Sequence, residues 1–132
     1  KSWCSHASMT ALLLGRTMIG ERVWDTLRAI DAAAAFDDVD SRRVEAIGHS
    51  GGATTVVYAS AIDDRIQGSI PSCYVCNMRD CIATIDHCED NYLPGALRWF
   101  EMGDIAGLMA PRPMLVVAGR RDPISESLAP RP

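Results

Sequence analysis

The stretch Arg43-Val44-Glu45-Ala46-Ile47-Gly48-His49-Ser50-Gly51-Gly52 decides how this chain is read. Its first half is a short apolar strand, and it runs without a spacer into Gly48-His49-Ser50-Gly51-Gly52, a G-x-S-x-G turn. The following Gly51–Ala61, small and β-branched, suits a helix laid tightly on a flat surface. Its weak intrinsic propensity leaves tertiary packing to hold it. A serine between a strand and a helix stands at the tip of a sharp turn with its hydroxyl exposed. Glycines two residues before and two after, Gly48 and Gly52, remove Cβ atoms that would meet the neighbouring strand and helix. The N–H of Gly51 opens the helix and is a natural donor to a developing oxyanion. Ser50 is therefore a candidate nucleophile. The competing reading is a glycine-rich turn that binds nothing or cradles a phosphate.

Outward from this turn the pattern alternates strand and helix. Upstream, Met9–Leu14 is apolar, and from Glu21 the residues Val23, Leu27, Ile30 and Ala34 form a helical stripe. Arg22, Asp25, Arg28 and Asp31 lie off that stripe. Residues 37–41 form a polar loop. Downstream, Asp63-Asp64-Arg65 is a turn, Ile66–Ile70 a second apolar strand, and 71–100 an irregular region. Ile105–Met109 is a helical turn or two, stopped by Pro111. Pro113–Gly119 is a continuous apolar run of the kind found in parallel strands buried on both faces. The fold class is α/β, with right-handed crossovers between mostly parallel strands.

A nucleophilic serine needs a base and an acid that orients it. In hydrolases built on this turn the chain order is serine, acid, histidine, with the acid just past a later strand. Asp122, in Gly119-Arg120-Arg121-Asp122-Pro123, follows the 113–119 run and fits that place. The chain holds three histidines, His6, His49 and His87, and none of them follows Asp122. His49 adjoins the nucleophile, but its side chain points across the turn, away from Ser50.

Composition bounds the partners. The 132 residues are 48% hydrophobic and 23% charged with net charge −4, which describes a globular chain without the basic field that draws nucleic acid. No apolar stretch approaches the roughly 20 residues of a membrane span, and no basic segment followed by an apolar one, the mark of a signal peptide, is visible in these 132 residues. No phosphate-loop or dinucleotide glycine motif is present, and the elbow chemistry implies no redox, metal or nucleotide cofactor. Four of five cysteines fall in Cys73-x2-Cys76-x4-Cys81-x6-Cys88, with His87 beside the last. Reduced thiols in a loop over the site, disulfides and a metal site are all open, although the spacing matches no established zinc pattern. Asp86, Glu89 and Asp90 read as a solvated acidic face. Trp99 and Phe100 read as core or lid packing ahead of sugar stacking. Arg16 and Glu21 read as a structural pair.

Several separated motifs carry a resemblance. Leu14–Asp25, Arg43–Gly52 and Asp63–Ile66, with Asn91-Tyr92-Leu93-Pro94-Gly95, Asp104–Leu108 and Ala110-Pro111-Arg112-Pro113, resemble the acetyl xylan esterase-like branch of the α/β-hydrolases. That branch is related to dienelactone hydrolases and cephalosporin-C deacetylases. The resemblance implies a serine-dependent carboxylic-ester hydrolase that removes small acyl groups, often acetyl, from carbohydrate or similar small esters. Carried over, Ser50 is the nucleophile, Asp122 the triad acid and the Gly51 N–H half of the oxyanion hole.

The resemblance also implies that 1–132 is the central segment of one hydrolase domain, about strands five to seven with flanking helices. The second oxyanion donor would then precede Lys1 and the catalytic histidine follow Pro132. On that expectation the isolated chain lacks triad-level activity and exposes hydrophobic strand edges. Two rivals stay open: a peptidase of the prolyl-oligopeptidase type, and a hydrolase-like scaffold that has lost its base.

Overall fold

The computed structural model describes residues 3–119. Two helices come first, α1 (Trp3–Leu13) and α2 (Met18–Ala33). Then follow β1 (Val44–His49), α3 (Gly51–Ile62) and β2 (Ile66–Ser72). Short 3-10 turns at Glu89–Asn91 and Ala96–Arg98 and the helix α4 (Met102–Gly107) complete the elements.

α2 begins where Thr17 caps it, its hydroxyl accepting the Gly20 N–H at 3.1 Å, and the Arg16–Glu21 pair at 2.6 Å adds to that first turn. One face of α2 buries Ile19, Val23 and Ile30. β1 and β2 pair in parallel, Ala46 beside Ser69 and His49 beside Ser72, so the intervening α3 is the crossover of a βαβ unit. α3 earns its helical form from contact rather than propensity. It buries Ala53, Thr54 and the run Val56–Ser60, lying on both strands and against α2.

The expected third strand is also parallel. The Ser69 N–H donates to Pro113 O at 3.1 Å, Leu115 N–H to Ser69 O at 2.9 Å, Val117 N–H to Pro71 O at 3.0 Å and Cys73 N–H to Val117 O at 2.8 Å. The order is therefore β1, β2, then 113–117, a partial α/β sheet that grows in one direction. Arg112 sets the entry of that segment. Its guanidinium donates to the carbonyls of Ser60 (2.8 Å), Asp63 (3.0 Å) and Ile66 (2.7 Å), satisfying the open end of α3 and the start of β2. The Asp63-Asp64-Arg65 turn closes in the same way. Asp63 accepts the Arg65 N–H at 2.9 Å, and Arg65 reaches Asp31 on α2 at 2.6 Å.

The core gathers α2, α3, Ile66, Tyr74, Cys76, Met78, Cys81, Ile82, Ala96 and Met102. Much of the long region between β2 and α4 is thus packed, although its sequence shows no regular periodicity. Ile47 is 72% exposed, and Leu115, Val116 and Val117 are exposed as well. The 113–119 run, expected to be buried on both faces, is therefore open, because no described element covers these side chains.

Candidate active site

Ser50 sits where β1 hands over to α3, with φ +53° and ψ −122°. A non-glycine residue there is strained, and such strain persists only where surrounding contacts enforce it. Two do. The Ser50 N–H donates to Ser72 O on β2 at 2.9 Å, and its carbonyl accepts the Ala53 N–H at 2.8 Å and the Thr54 N–H at 3.1 Å. The hydroxyl caps nothing and makes no hydrogen bond among the described residues, and Ser50 is exposed. The Gly51 N–H, at the first turn of α3, has no acceptor among the described residues, so the positive end of the helix faces the serine.

The two elbow glycines differ. A Cβ on Gly48 would lie 2.4 Å from Gly52 O, 2.5 Å from Gly52 C and 2.7 Å from Ala53 N, all backbone atoms that cannot swing aside. Gly48 is thus required for the strand and helix to approach. A Cβ on Gly52 would meet nothing within 4 Å. The expectation that Gly52 also relieves a clash is not met among the described residues, because the side of α3 it occupies is open there. A second positive φ, +56° at Cys73, falls just past the end of β2, beside the strand end that holds the Ser50 N–H. Both positive-φ non-glycine residues among those described therefore lie at the carboxyl edge of the sheet, where open α/β sheets bind ligands.

The elbow is braced from behind by residues that composition and spacing did not single out. Arg22 pairs with Asp90, which is only 3% exposed. Asn91 donates to Asp90 at 3.3 Å and accepts the Thr54 hydroxyl at 3.3 Å, and Thr54 is the residue whose N–H bonds the Ser50 carbonyl. A Cβ on Gly51 would lie 3.4 Å from Arg22 Nη1, so this guanidinium borders the start of α3. The solvated-face reading of Asp90 is thereby corrected: a buried carboxylate is stable only because Arg22 neutralises it. An arginine off the apolar stripe of α2 was the available signal, and its partner 68 residues away was not.

No described histidine serves Ser50. His49 Nδ1 lies 3.2 Å from Ser72 Oγ, His87 Nε2 lies 3.3 Å from Cys81 Sγ, and His6 is exposed on α1. Asp122 lies outside the described residues. None of the five cysteines is in a disulfide. The cysteine run does not form one cluster. Cys76 and Cys81 enter the core, where burial and the neighbouring Cys81 push the Cys76 thiol up to about 12. Cys88 instead faces Cys4 of α1, with the sulfurs 2.9 Å apart. Phe100 packs on the core as expected, but Trp99 is 84% exposed and packs on nothing comparable.

A family model described as acetyl xylan esterase (AXE1) matches residues 16–104, a span that takes in α2, the elbow and the Asp90–Asn91 brace. The chain belongs to the acetyl xylan esterase family. It is similar to a putative hydrolase, YtaP, of Bacillus subtilis (strain 168). The two are 32% identical over 114 residues, which is 84% of this chain and 38% of that protein. Among solved structures it is similar to a glucuronoyl esterase from Solibacter usitatus, with TM-score 0.64 and 26% identity over 80% of this chain and 31% of the other. A second glucuronoyl esterase structure from that organism, at 24% identity and TM-score 0.62, shares the fold; it covers 78% of this chain and 31% of the other. The chain thus spans well under half the length of the relatives it matches. The fold is that of part of an α/β-hydrolase. Among the described residues, no helix is long and apolar enough to cross a membrane.

Proposed function

We propose that this esterase-family chain carries the nucleophile of a serine-dependent carboxylic-ester hydrolase that removes small acyl groups, acetyl first among them, from carbohydrate. The observation that carries the reading is the turn itself: an exposed serine held at φ +53° on the first turn of α3, its hydroxyl uncommitted. Ser50 Oγ attacks the ester carbonyl, and the tetrahedral oxyanion takes a hydrogen bond from the Gly51 N–H. The alcohol departs, and water then hydrolyses the acyl-serine. Asp122 is assigned as the acid that orients the base, by its place after the 113–117 segment. The base itself is none of the described histidines. Family membership and a solved neighbour described as a glucuronoyl esterase support a carbohydrate ester as substrate class.

The test is acetate release from acetylated xylan by the full-length protein that carries this chain, alongside Ser50→Ala and Asp122→Asn. The reading predicts turnover, with losses of roughly 10⁴-fold or more in both variants. Unaltered turnover in Ser50→Ala, or cleavage of prolyl peptides in place of acetyl esters, would overturn it.

A further inference from the structure

We propose that Cys4 and Cys88 are a thiol–disulfide site, a reversible staple between α1 and the turn that carries Asp90. Their sulfurs lie 2.9 Å apart although the residues are 84 positions apart in sequence. That is closer than two thiols ordinarily sit, and bonding at about 2.05 Å needs a movement of less than about 1 Å. The surroundings hold the pair in register. Ser5, the next residue of α1, donates its hydroxyl to Glu89 at 2.5 Å, and Glu89 follows Cys88 directly. Arg22 bridges the same two segments, pairing with Asp90 and donating to Cys4 Sγ at 3.5 Å. Cys88 is exposed, so a small oxidant has access.

Cys4, Cys88 and Asp90 together offer three donor atoms within 4.8 Å of one another, which raises a metal as the alternative. The charge argues against it. The Asp90 carboxylate is already bound by Arg22, and a cation there would sit beside a fixed guanidinium. The pair is also separate from the other thiols, because Cys81 approaches His87 and Cys76 lies in the core.

The oxidant is a low-molecular-weight disulfide such as oxidised glutathione. The Cys4 sulfur gives its proton to solvent and attacks one of the oxidant's sulfurs, forming a mixed disulfide and releasing one glutathione thiolate. The Cys88 sulfur gives its proton to solvent and displaces the second glutathione, closing Cys4–Cys88. Two electrons pass from the protein to the small disulfide, which leaves as two thiols. The product ties α1 to the Asp90–Asn91–Thr54 brace behind Ser50.

The experiment reads thiols, so it is independent of the esterase assignment. The full-length protein is equilibrated across a reduced-to-oxidised glutathione series, trapped with N-ethylmaleimide, digested with trypsin and weighed. At the oxidising end, peptide 2–16 is found joined to 80–98, two hydrogens lighter than their sum. The link persists in Cys81→Ser, disappears in Cys88→Ser and is reversed by dithiothreitol. The oxidised protein melts about 5–10 °C higher than the reduced one, as closure of a long loop requires. Alkylation of both Cys4 and Cys88 at the oxidising end would overturn the proposal. So would a link from either to Cys73, Cys76 or Cys81, or stoichiometric zinc lost in Cys4→Ser.

Discussion

Replacing Gly48 with alanine adds one methyl group at the point where β1 and α3 come closest. That methyl would lie 2.4 Å from Gly52 O, with Gly52 C at 2.5 Å and Ala53 N at 2.7 Å. Ordinary contact begins near 3.4 Å, so the first turn of α3 must retreat by about 1 Å. Backbone cannot rotate out of the way, and overpacking of this kind costs about 1–3 kcal/mol. The same retreat moves Ser50, because its carbonyl is held by Ala53 and Thr54. A displacement near 1 Å at a reacting group costs on the order of 10²-fold in rate. Gly52→Ala is the matched control. Its Cβ meets nothing within 4 Å, and alanine is the better helix former by up to about 1 kcal/mol. Urea midpoints and acetate release should therefore separate the two variants of the full-length protein. Gly48→Ala should be less stable and about a hundredfold slower, and Gly52→Ala close to the parent in both. Equal behaviour of the two, or a Gly48→Ala protein with parental rate, would refute the reasoning.

Other consequences follow from the ion pairs. Arg22→Met leaves the Asp90 carboxylate buried without its partner and should cost about 3–5 kcal/mol, read as a urea midpoint. Arg22→Met with Asp90→Leu should recover much of that loss, since an apolar pair can replace a buried ionic one. A double variant no better than the single would contradict the assignment. Arg112→Met removes a charged donor from three carbonyls at once and should cost about 2–4 kcal/mol, with faster hydrogen exchange of the Ser69 and Leu115 amides that pair with the 113–117 segment. Parental exchange there would show that Arg112 does not set that pairing. The Arg65 guanidinium holds the Asp63 carboxyl below its usual 3.8. A depressed carboxyl pKa stabilises the fold above the unfolded value, so this contribution is whole above about pH 4 and fades as the pH falls through the folded value. Asp63→Asn should flatten the acid limb of a stability profile, and an unchanged limb would dismiss the pair as a contributor.

Much of the architecture is written in short-range pattern. The stripe Val23, Leu27, Ile30 marks α2 because one side of it faces α3, and strand–turn–helix at 43–61 is unambiguous because the glycines, the β-branched run and the apolar strand all agree. The Gly48 requirement was equally legible, since the elbow demands a close backbone approach whatever lies around it. What pattern does not carry is long-range pairing. Asp90 reads as one more acid in a polar run, and only the fold reveals that Arg22 reaches it. The cysteine run misleads for the same reason: spacing groups Cys88 with Cys81, whereas α1 brings Cys4 against it. Gly52 and Trp99 fail in the opposite sense. Both are expected to meet neighbours, and both face open space among the described residues.

The central claim is that the strained, exposed serine at the head of α3 is a nucleophile. A fluorophosphonate, which forms a stable bond only with an activated serine, tests it most directly when applied to the folded full-length protein and mapped by peptide mass. The account predicts a single stoichiometric adduct on Ser50, absent after denaturation and absent in Ser50→Ala. An adduct on a different residue, or a folded protein that hydrolyses acetyl esters while Ser50 stays unlabelled, would contradict it.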